Sequence, residues 1–271
     1  MTVKYLDSKR ISGLSSDTKP TSTTVQTNSL FTETDTGIQR WSGNNWGWDY
    51  EDDYSSYTTQ AEADAVWDKN VTNVQVNITN DNLAFTSNNV SANWSIANNL
   101  ANRKSLPATL SDTAWVSRHS CNFTTIVTSD GCGVSYCFFG LSSINKSNSS
   151  TAGVAEDFLG WGIQANNFKA WERDNGFLNG GTGSNIITGI TTGIRYIEMT
   201  RLSSTSFKAE SFANSNYTSS QGSATITVGS TIQSLQYAAW RKMDNTNVCG
   251  ATPTVGTIDD FKISSGVTVA P

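Results

Sequence analysis

The chain has 271 residues with a net charge of −5, and only 15% of its residues are charged. This fraction lies well below the roughly 25% of an average globular protein, which excludes a helical bundle or a coiled coil. The 18 Lys and Arg residues do not cluster, so neither nucleic acid nor membrane insertion is expected. Nine Trp, eight Tyr and eleven Phe supply apolar surface for a core, and abundant Ser, Thr, Asn and Gly predict strands and turns.

Residues 1–27 predict an extended arm, in which a short strand-like piece is followed by the polar tract SSDTKPTSTTVQT. The β-prone side chains of this piece are Val3, Tyr5, Leu6 and Ile11. Such an arm either hangs free or pairs with the exposed sheet edge of a neighbouring subunit. We predict the second arrangement, so that the arm joins copies of the chain, or other virion proteins, into an oligomer or filament.

Residues 28–48 predict a β-hairpin module with the strands LFTET and IQRW. Asp35 and Gly37 form the turn between these strands, and the aromatic cluster of the module comprises Phe31, Trp41 and Trp46. The pattern S-L-F-x-E-T-D-T-G, followed by W-x-G-x-x-W, resembles a short module of phage and archaeal-virus structural proteins and of environmental surface proteins. The resemblance implies a segment that attaches the protein to an assembly.

Residues 49–67 predict an acidic linker, DYEDDYSSY, followed by one short helix, TTQAEADAVW. Thr59 caps this helix, and Glu62, three residues later, completes a capping box. The acidic run Glu51, Asp52 and Asp53 has the composition of a calcium ligand set, but a solvated linker is the favoured interpretation.

Residues 68–271 contain about eleven strand-like segments separated by turns, which predicts an all-β antiparallel sandwich or barrel. Two-residue alternation is visible in several of them, as in Leu159, Trp161 and Ile163. The segments FFGLSS, DFLGWGIQ, IRYIEMTRLSSTSFKAESF and GTIDDFKI resemble the laminin-G-like, concanavalin-A-like jelly-roll family. The resemblance implies a two-sheet jelly-roll sandwich with one concave face.

The catalytic groups of this jelly-roll superfamily are not found in the sequence. Members that cleave glucans carry E-x-D-x-x-E on one strand, which places three carboxylates on one face. No strand-like segment of the main domain has that pattern, and His119 is the only His in the chain. We therefore predict that the protein is not an enzyme and has no catalytic residues, cofactor or metal. The resemblance also suggests calcium at Asp259 and Asp260, although a structural role for this pair is favoured.

Aromatic residues on one face of a jelly roll are a common platform for sugar rings. The candidates are Trp161, Trp171 and Trp240. Trp161 shares its parity with core residues, whereas Trp171 lies between Lys169 and Arg173 on a face that we expect to meet solvent. The sequence therefore predicts ligand contact at Trp171, Lys169 and Arg173.

Two further features leave alternatives open. The four cysteines, Cys121, Cys132, Cys137 and Cys249, favour disulfides by their even count, with a zinc site at His119 and free buried thiols as alternatives. The N-x-S/T pattern for N-glycosylation occurs at Asn70, Asn77, Asn89, Asn93, Asn122, Asn145, Asn148 and Asn216. This count is about what the composition gives by chance.

Together, these features favour a structural or display protein of a virion or an extracellular filament, with glycan contact as an additional property. The first residues, MTVKYLDSKR, contain no apolar signal segment, so we expect the protein to reach a virion or the extracellular space by another route. The alternative is a secreted carbohydrate-binding module or a relative of the glucanases.

Overall fold

The computed structural model describes residues 4–7, 10–13, 30–33, 39–41, 48–52, 59, 61–62, 65, 68–69, 76–79, 82–86, 101–126, 136–143, 157–164, 166–174, 182–243, 255–268 and 270. In these ranges helix is confined to residues 61, 62 and 65. No helix in them is long and apolar enough to cross a membrane.

The described residues form nineteen strands. The first nine are β1 Lys4–Asp7, β2 Arg10–Gly13, β3 Leu30–Glu33, β4 Gln39–Trp41, β5 Tyr50–Asp52, β6 Asp68–Lys69, β7 Val76–Thr79, β8 Asn82–Thr86 and β9 Ala101–Ser105. The next five are β10 Trp115–Thr125, β11 Tyr136–Ser142, β12 Phe158–Gln164, β13 Asn167–Arg173 and β14 Thr182–Thr188. The last five are β15 Gly193–Ser203, β16 Ser206–Phe212, β17 Ser220–Thr227, β18 Tyr237–Met243 and β19 Val255–Ser265.

Two antiparallel sheets make up the main domain. The first sheet has the order β17-β16-β15-β10-β19-β8-β7, with β5 also paired to β19. The second sheet has the order β14-β13-β12-β11-β18-β9-β6. Strands that are distant in sequence lie side by side, as β10 does with β19. The predicted concanavalin-A-like, two-sheet jelly-roll sandwich is confirmed.

The core lies between the inner faces of the two sheets, and strand alternation decides which side chains enter it. Leu159, Trp161 and Ile163 of β12 are buried in the core cluster, and Ile197 and Met199 of β15 reach it from the first sheet. These are the faces that the alternation in the sequence predicted. Burial of such side chains contributes about 1.5 to 3 kcal/mol each to the stability of the sandwich.

His119 is part of this core and accepts a hydrogen bond from an indole. Its side chain is fully buried, and Trp161 Nε1 donates a hydrogen bond of 2.8 Å to His119 Nε2. The Phe139 ring packs against the imidazole at a centroid distance of 4.9 Å. Desolvation by burial lowers the pKa of His119 to about 3, so the imidazole is neutral at physiological pH. Cys121 lies in the same core, beside His119 along β10.

The segment expected to be a solvated acidic linker contributes a strand to the first sheet. Residues Tyr50–Asp52 form β5 and pair with β19. Asp52 is buried and forms an ion pair of 2.7 Å with Lys104, while Asp49 accepts a hydrogen bond of 2.7 Å from the backbone N–H of Ser265. The sequence did not show this pairing because the partner strand lies about 210 residues away along the chain.

The predicted capping box is confirmed at the start of the short helix. The Thr59 hydroxyl accepts a hydrogen bond of 3.3 Å from the backbone N–H of Glu62, and the Glu62 carboxylate accepts one of 3.1 Å from the backbone N–H of Thr59. These two bonds satisfy donors that the helix itself leaves unpaired.

The N-terminal residues form a small separate sheet with the order β1-β2-β3-β4. The strands β3 and β4 pair antiparallel, as expected for the hairpin module, and place Phe31 opposite Arg40 and Leu30 opposite Trp41. Part of the expected arm is paired within the chain, because Tyr5 lies opposite Ile11 in a β1–β2 hairpin and β2 continues parallel to β3. Val3, Asp35, Gly37 and Trp46 lie outside the described residues. The domain boundaries and the role of the arm in assembly stay predictions.

The buried imidazole predicts a specific loss of stability in acid. The unfolded chain takes up a proton near the ordinary His pKa of 6.5, whereas folded His119 does so only near pH 3. The folded state is therefore destabilised as the pH falls below 6.5, by about 2 to 3 kcal/mol at about pH 4.5.

The matched variant is His119→Gln, whose amide oxygen still accepts the hydrogen bond from Trp161 but does not titrate. Urea unfolding between about pH 7 and about pH 4.5 should show a steeper loss of unfolding free energy in the wild type than in this variant. Equal pH slopes in the two proteins would contradict the buried neutral imidazole.

Candidate functional site

The face of the second sheet that points away from the core is the candidate site, and we call it the outer face. On β13 the side chains alternate, so that Phe168 and Ala170 join the core cluster while Lys169, Trp171 and Arg173 lie on the outer face. The sequence prediction placed these last three residues together, and the structure has them on one face of one strand. Their role in binding stays a prediction.

The centre of the outer face is a row of residues with almost no side chain. Trp171 lies opposite Gly183 on one side and Gly160 on the other. The row then continues from Gly160 to Gly140 on β11 and to Ala239 on β18. Gly140, Gly160 and Ala239 are themselves buried, so this part of the row does not meet solvent.

The rings of Trp171 and Phe158 pack directly against the backbone of these glycines. A methyl group at Gly183 would overlap the indole of Trp171, and one at Gly160 would come within 2.9 Å of the Phe158 ring. A ring normally stands upright from a sheet, but a glycine opposite it lets the ring lie along the backbone. Sequence reasoning missed Phe158, although its alternation with Leu159 already places it away from the core.

Cationic groups flank the indole of Trp171. The ammonium of Lys169 lies 5.7 Å from the ring centroid, and the guanidinium carbon of Arg173 lies 5.9 Å from it. Both distances are within the range of cation–π attraction. Lys169 Nζ also donates a hydrogen bond to the Gln164 amide oxygen on β12. Partial burial lowers the pKa of the Lys169 ammonium from its ordinary value through desolvation.

The exposure of these side chains differs from the expectation. Trp171 is only 5% exposed and Arg173 only 3%, so the expectation that Trp171 meets solvent is wrong. The ring lies flat against Gly183, which removes much of its surface from water. Lys169 and Gln164 are partly exposed, and Asn185 on the neighbouring β14 is exposed. The accessible part of the outer face is therefore polar, with the indole beneath it.

The outer face of the first sheet is different, because its cation Arg118 is paired with a carboxylate. Arg118 forms an ion pair of 2.7 Å with Glu198 and stacks on the Tyr217 ring at 4.1 Å. The Tyr217 hydroxyl donates a hydrogen bond of 3.3 Å to the backbone oxygen of His119, which fixes the ring over the sheet. The side chains of this network therefore contact one another and the backbone, which favours a structural role for this surface.

Of the other two aromatic candidates, Trp161 does not reach the outer face of the second sheet. Trp161 is fully buried in the core beside His119, as its parity predicted. Trp240 belongs to β18, and its side chain lies outside the described residues. Glu172 follows Trp171 directly on β13, so it has the parity of the core-facing residues Phe168 and Ala170.

The Asp pair near the chain end is held by its own neighbours. The Asp259 carboxylate accepts a hydrogen bond of 2.7 Å from the backbone N–H of Asp260, and Lys262 forms an ion pair of 2.9 Å with Asp260. Asp260 has a positive φ of 56°, which marks an irregularity in β19. Across the described ranges, no three His, Cys, Asp or Glu side chains are arranged to hold a metal ion.

Cysteines and sequons are described only in part. Cys121 is buried, whereas the side chains of Cys132, Cys137 and Cys249 lie outside the described residues, so the pairing stays open. Asn216 is exposed in the turn between β16 and β17, and Asn122 is half-buried on β10. Asn77 lies in β7, and the remaining sequons, Asn70, Asn89, Asn93, Asn145 and Asn148, are outside the described residues.

No family model and no curated protein matches the chain. Similar solved structures include a β-glucanase of Bacillus licheniformis, at 12% identity and a TM-score of 0.48, over 81% of this chain and 98% of that one. Another is an endo-1,3-β-glucanase of Streptomyces sioyaensis, at 12% identity and a TM-score of 0.46, over 80% and 95%. A third is an alginate lyase in complex with an alginate tetrasaccharide, at 12% identity and a TM-score of 0.47, over 81% and 97%. At such identities the likeness concerns the fold alone.

The prediction that the chain is not an enzyme is corrected here: the three proteins with a similar fold are two glucanases and a lyase, so the fold gives no ground for excluding an enzyme. The missing E-x-D-x-x-E pattern excluded only one arrangement of catalytic groups, so it did not justify so general a conclusion. The interpretation as a virion or filament protein, and the resemblance of the hairpin module to virion proteins, receive no support from the comparisons.

The contact between Trp171 and Gly183 can be tested by filling the space under the ring. Gly183→Ala should displace the indole and lower the unfolding free energy by about 1 to 3 kcal/mol, the usual cost of overpacking. The control is Ser184→Ala on the same strand, an exposed position where the change should stay within about 0.5 kcal/mol. Urea unfolding and near-ultraviolet circular dichroism measure the two effects. Equal stability and equal aromatic spectra in both variants would show that the ring does not lie over Gly183.

Proposed function

We propose that the protein binds a glycan chain on the outer face of the second sheet, at Trp171 and Lys169, as a carbohydrate-binding domain or a relative of the glucanases. The observation that carries this proposal is the flat indole of Trp171, which lies over Gly183 with Lys169 and Gln164 beside it. None of these three side chains, Trp171, Lys169 and Gln164, belongs to the core cluster.

The physical basis is the dual character of a sugar ring. Its C–H groups form an apolar face that packs on an aromatic ring, while its hydroxyl groups require hydrogen-bond partners. Trp171 offers the aromatic surface, and Gln164, Lys169 and Asn185 offer donors and acceptors at neighbouring positions on three strands. The ring is only 5% exposed, so binding requires that the sugar replace the groups that now cover the indole.

For a chain, rather than a single sugar, to fit the site, the groups that cover the glycine row must also be displaced, because Gly140, Gly160 and Gly162 are buried. Gly160 and Gly140 on adjacent strands leave the backbone without side chains next to Trp171. Gly162, also on β12, lies opposite Lys169 on β13, so the position next to Lys169 also has no side chain. Ligand sites in proteins combine apolar surface with a few well-placed polar groups, which here are the Trp171 ring and Gln164, Lys169 and Asn185.

The test compares two tryptophan variants in binding to soluble β-glucans and alginate. Trp171→Ala removes the proposed platform and should weaken binding about tenfold, since packing on an aromatic ring contributes about 0.5 to 1.5 kcal/mol beyond the apolar area that it buries. Trp48→Ala is the matched control, because Trp48 lies near Arg118 on the other sheet. Affinity electrophoresis or calorimetry measures the dissociation constants.

Two checks keep this experiment interpretable. Trp171→Phe retains a ring and should bind more tightly than Trp171→Ala, and thermal unfolding verifies that each variant is folded. Release of reducing or unsaturated sugar ends during incubation measures cleavage in the same samples. The proposal fails if no glycan binds to the wild type, or if Trp171→Ala binds as tightly as Trp48→Ala.

A further inference from the structure

The part of the outer face around Lys169 carries positive charge, although the protein as a whole is acidic. The chain has a net charge of −5, yet the outer-facing positions of β11 to β14 include Lys169 and Arg173 and no Asp or Glu. A cationic region on an acidic protein attracts an anionic ligand and orients it as it approaches.

Lys169 differs from the other lysines whose side chains the structure describes. Lys104 is paired with Asp52, Lys208 with Glu210, and Lys262 with Asp260. In the described part of the chain, the Lys169 ammonium has no carboxylate within ion-pair distance, and its hydrogen bond goes to the neutral amide of Gln164.

This difference has an energetic consequence. A partly desolvated ammonium without a counter-charge loses hydration that no Coulomb attraction replaces. An anionic group bound next to Lys169 would supply the missing attraction, and it would do so in a partly water-excluded position where charges interact more strongly than in bulk water. A neutral sugar offers no such gain.

We infer that the glycan is anionic, with a carboxylate or sulfate group of the sugar bound by the Lys169 ammonium beside the Trp171 ring. This inference rests on the proposed function and names the substrate class of the same site. Gln164 holds the ammonium on the outer face, at 5.7 Å from the centroid of the indole.

The test uses pairs of polysaccharides that differ only in charge. Polygalacturonate is compared with its fully methyl-esterified form, and dextran sulfate is compared with dextran, by calorimetry on the full chain. The wild type should bind the charged member of one pair at least tenfold more tightly than the neutral member. The pair that shows this preference identifies the anionic group as a carboxylate or a sulfate. The preference should shrink as salt is added, because salt screens the interaction.

Variants at Lys169 link the preference to this residue. Lys169→Met keeps most of the side-chain length but removes the charge, and it should weaken binding of the charged polysaccharide about two- to fivefold, the range of a partly exposed ion pair. Lys169→Arg should restore most of that loss. Lys208→Met on the first sheet is the control with the same change in net charge, and it should bind like the wild type.

The outcomes separate this inference from the proposed function. Equal binding of charged and neutral polysaccharides, lost in Trp171→Ala, overturns the anionic preference and leaves glycan binding in place. A preference that is equally reduced in Lys169→Met and Lys208→Met shows a general charge effect and also overturns the inference. The proposed function is overturned if the wild type binds none of these polysaccharides, β-glucan and alginate included.

Discussion

The alternation of side chains along β12 and β13 is the constraint on which the rest of the arrangement depends. Each residue that enters the core forces its neighbour onto the opposite face. The burial of Trp161 and Phe168 therefore fixes Gly162 and Lys169 on the outer face, where they lie opposite each other. A slip of one residue would exchange the two faces, removing Trp161 from the core and leaving the buried imidazole of His119 without its hydrogen-bond donor.

Much of this could be predicted from the sequence, because local alternation and turn residues carry the information. The sandwich, the core face of β12 and the grouping of Lys169, Trp171 and Arg173 all follow from residues close together in the chain. The pairing of β5 with β19 could not be predicted, because it joins distant segments and its acidic residues are typical of a linker. The near burial of Trp171 was missed because it depends on Gly183, a residue on the next strand.

The two outer faces have different electrostatic character, although they belong to one sandwich. On the first sheet, Arg118 pairs with Glu198 and Lys208 pairs with Glu210, so that charge is balanced locally. On the second sheet, Lys169 lies above a glycine-rich floor without a carboxylate partner in the described residues. Balanced ion pairs on a surface contribute little net attraction for a ligand, whereas an uncompensated cation next to an aromatic ring favours an anionic, ring-shaped one.

The most direct test of the account is a crystal structure of the full chain with a short anionic oligosaccharide. The account predicts sugar density across β12, β13 and β14 on the outer face, with one ring against the Trp171 indole and an acidic group within hydrogen-bonding distance of Lys169 Nζ. Density for the oligosaccharide on the first sheet, near Arg118, or only at the ends of the sandwich would contradict it.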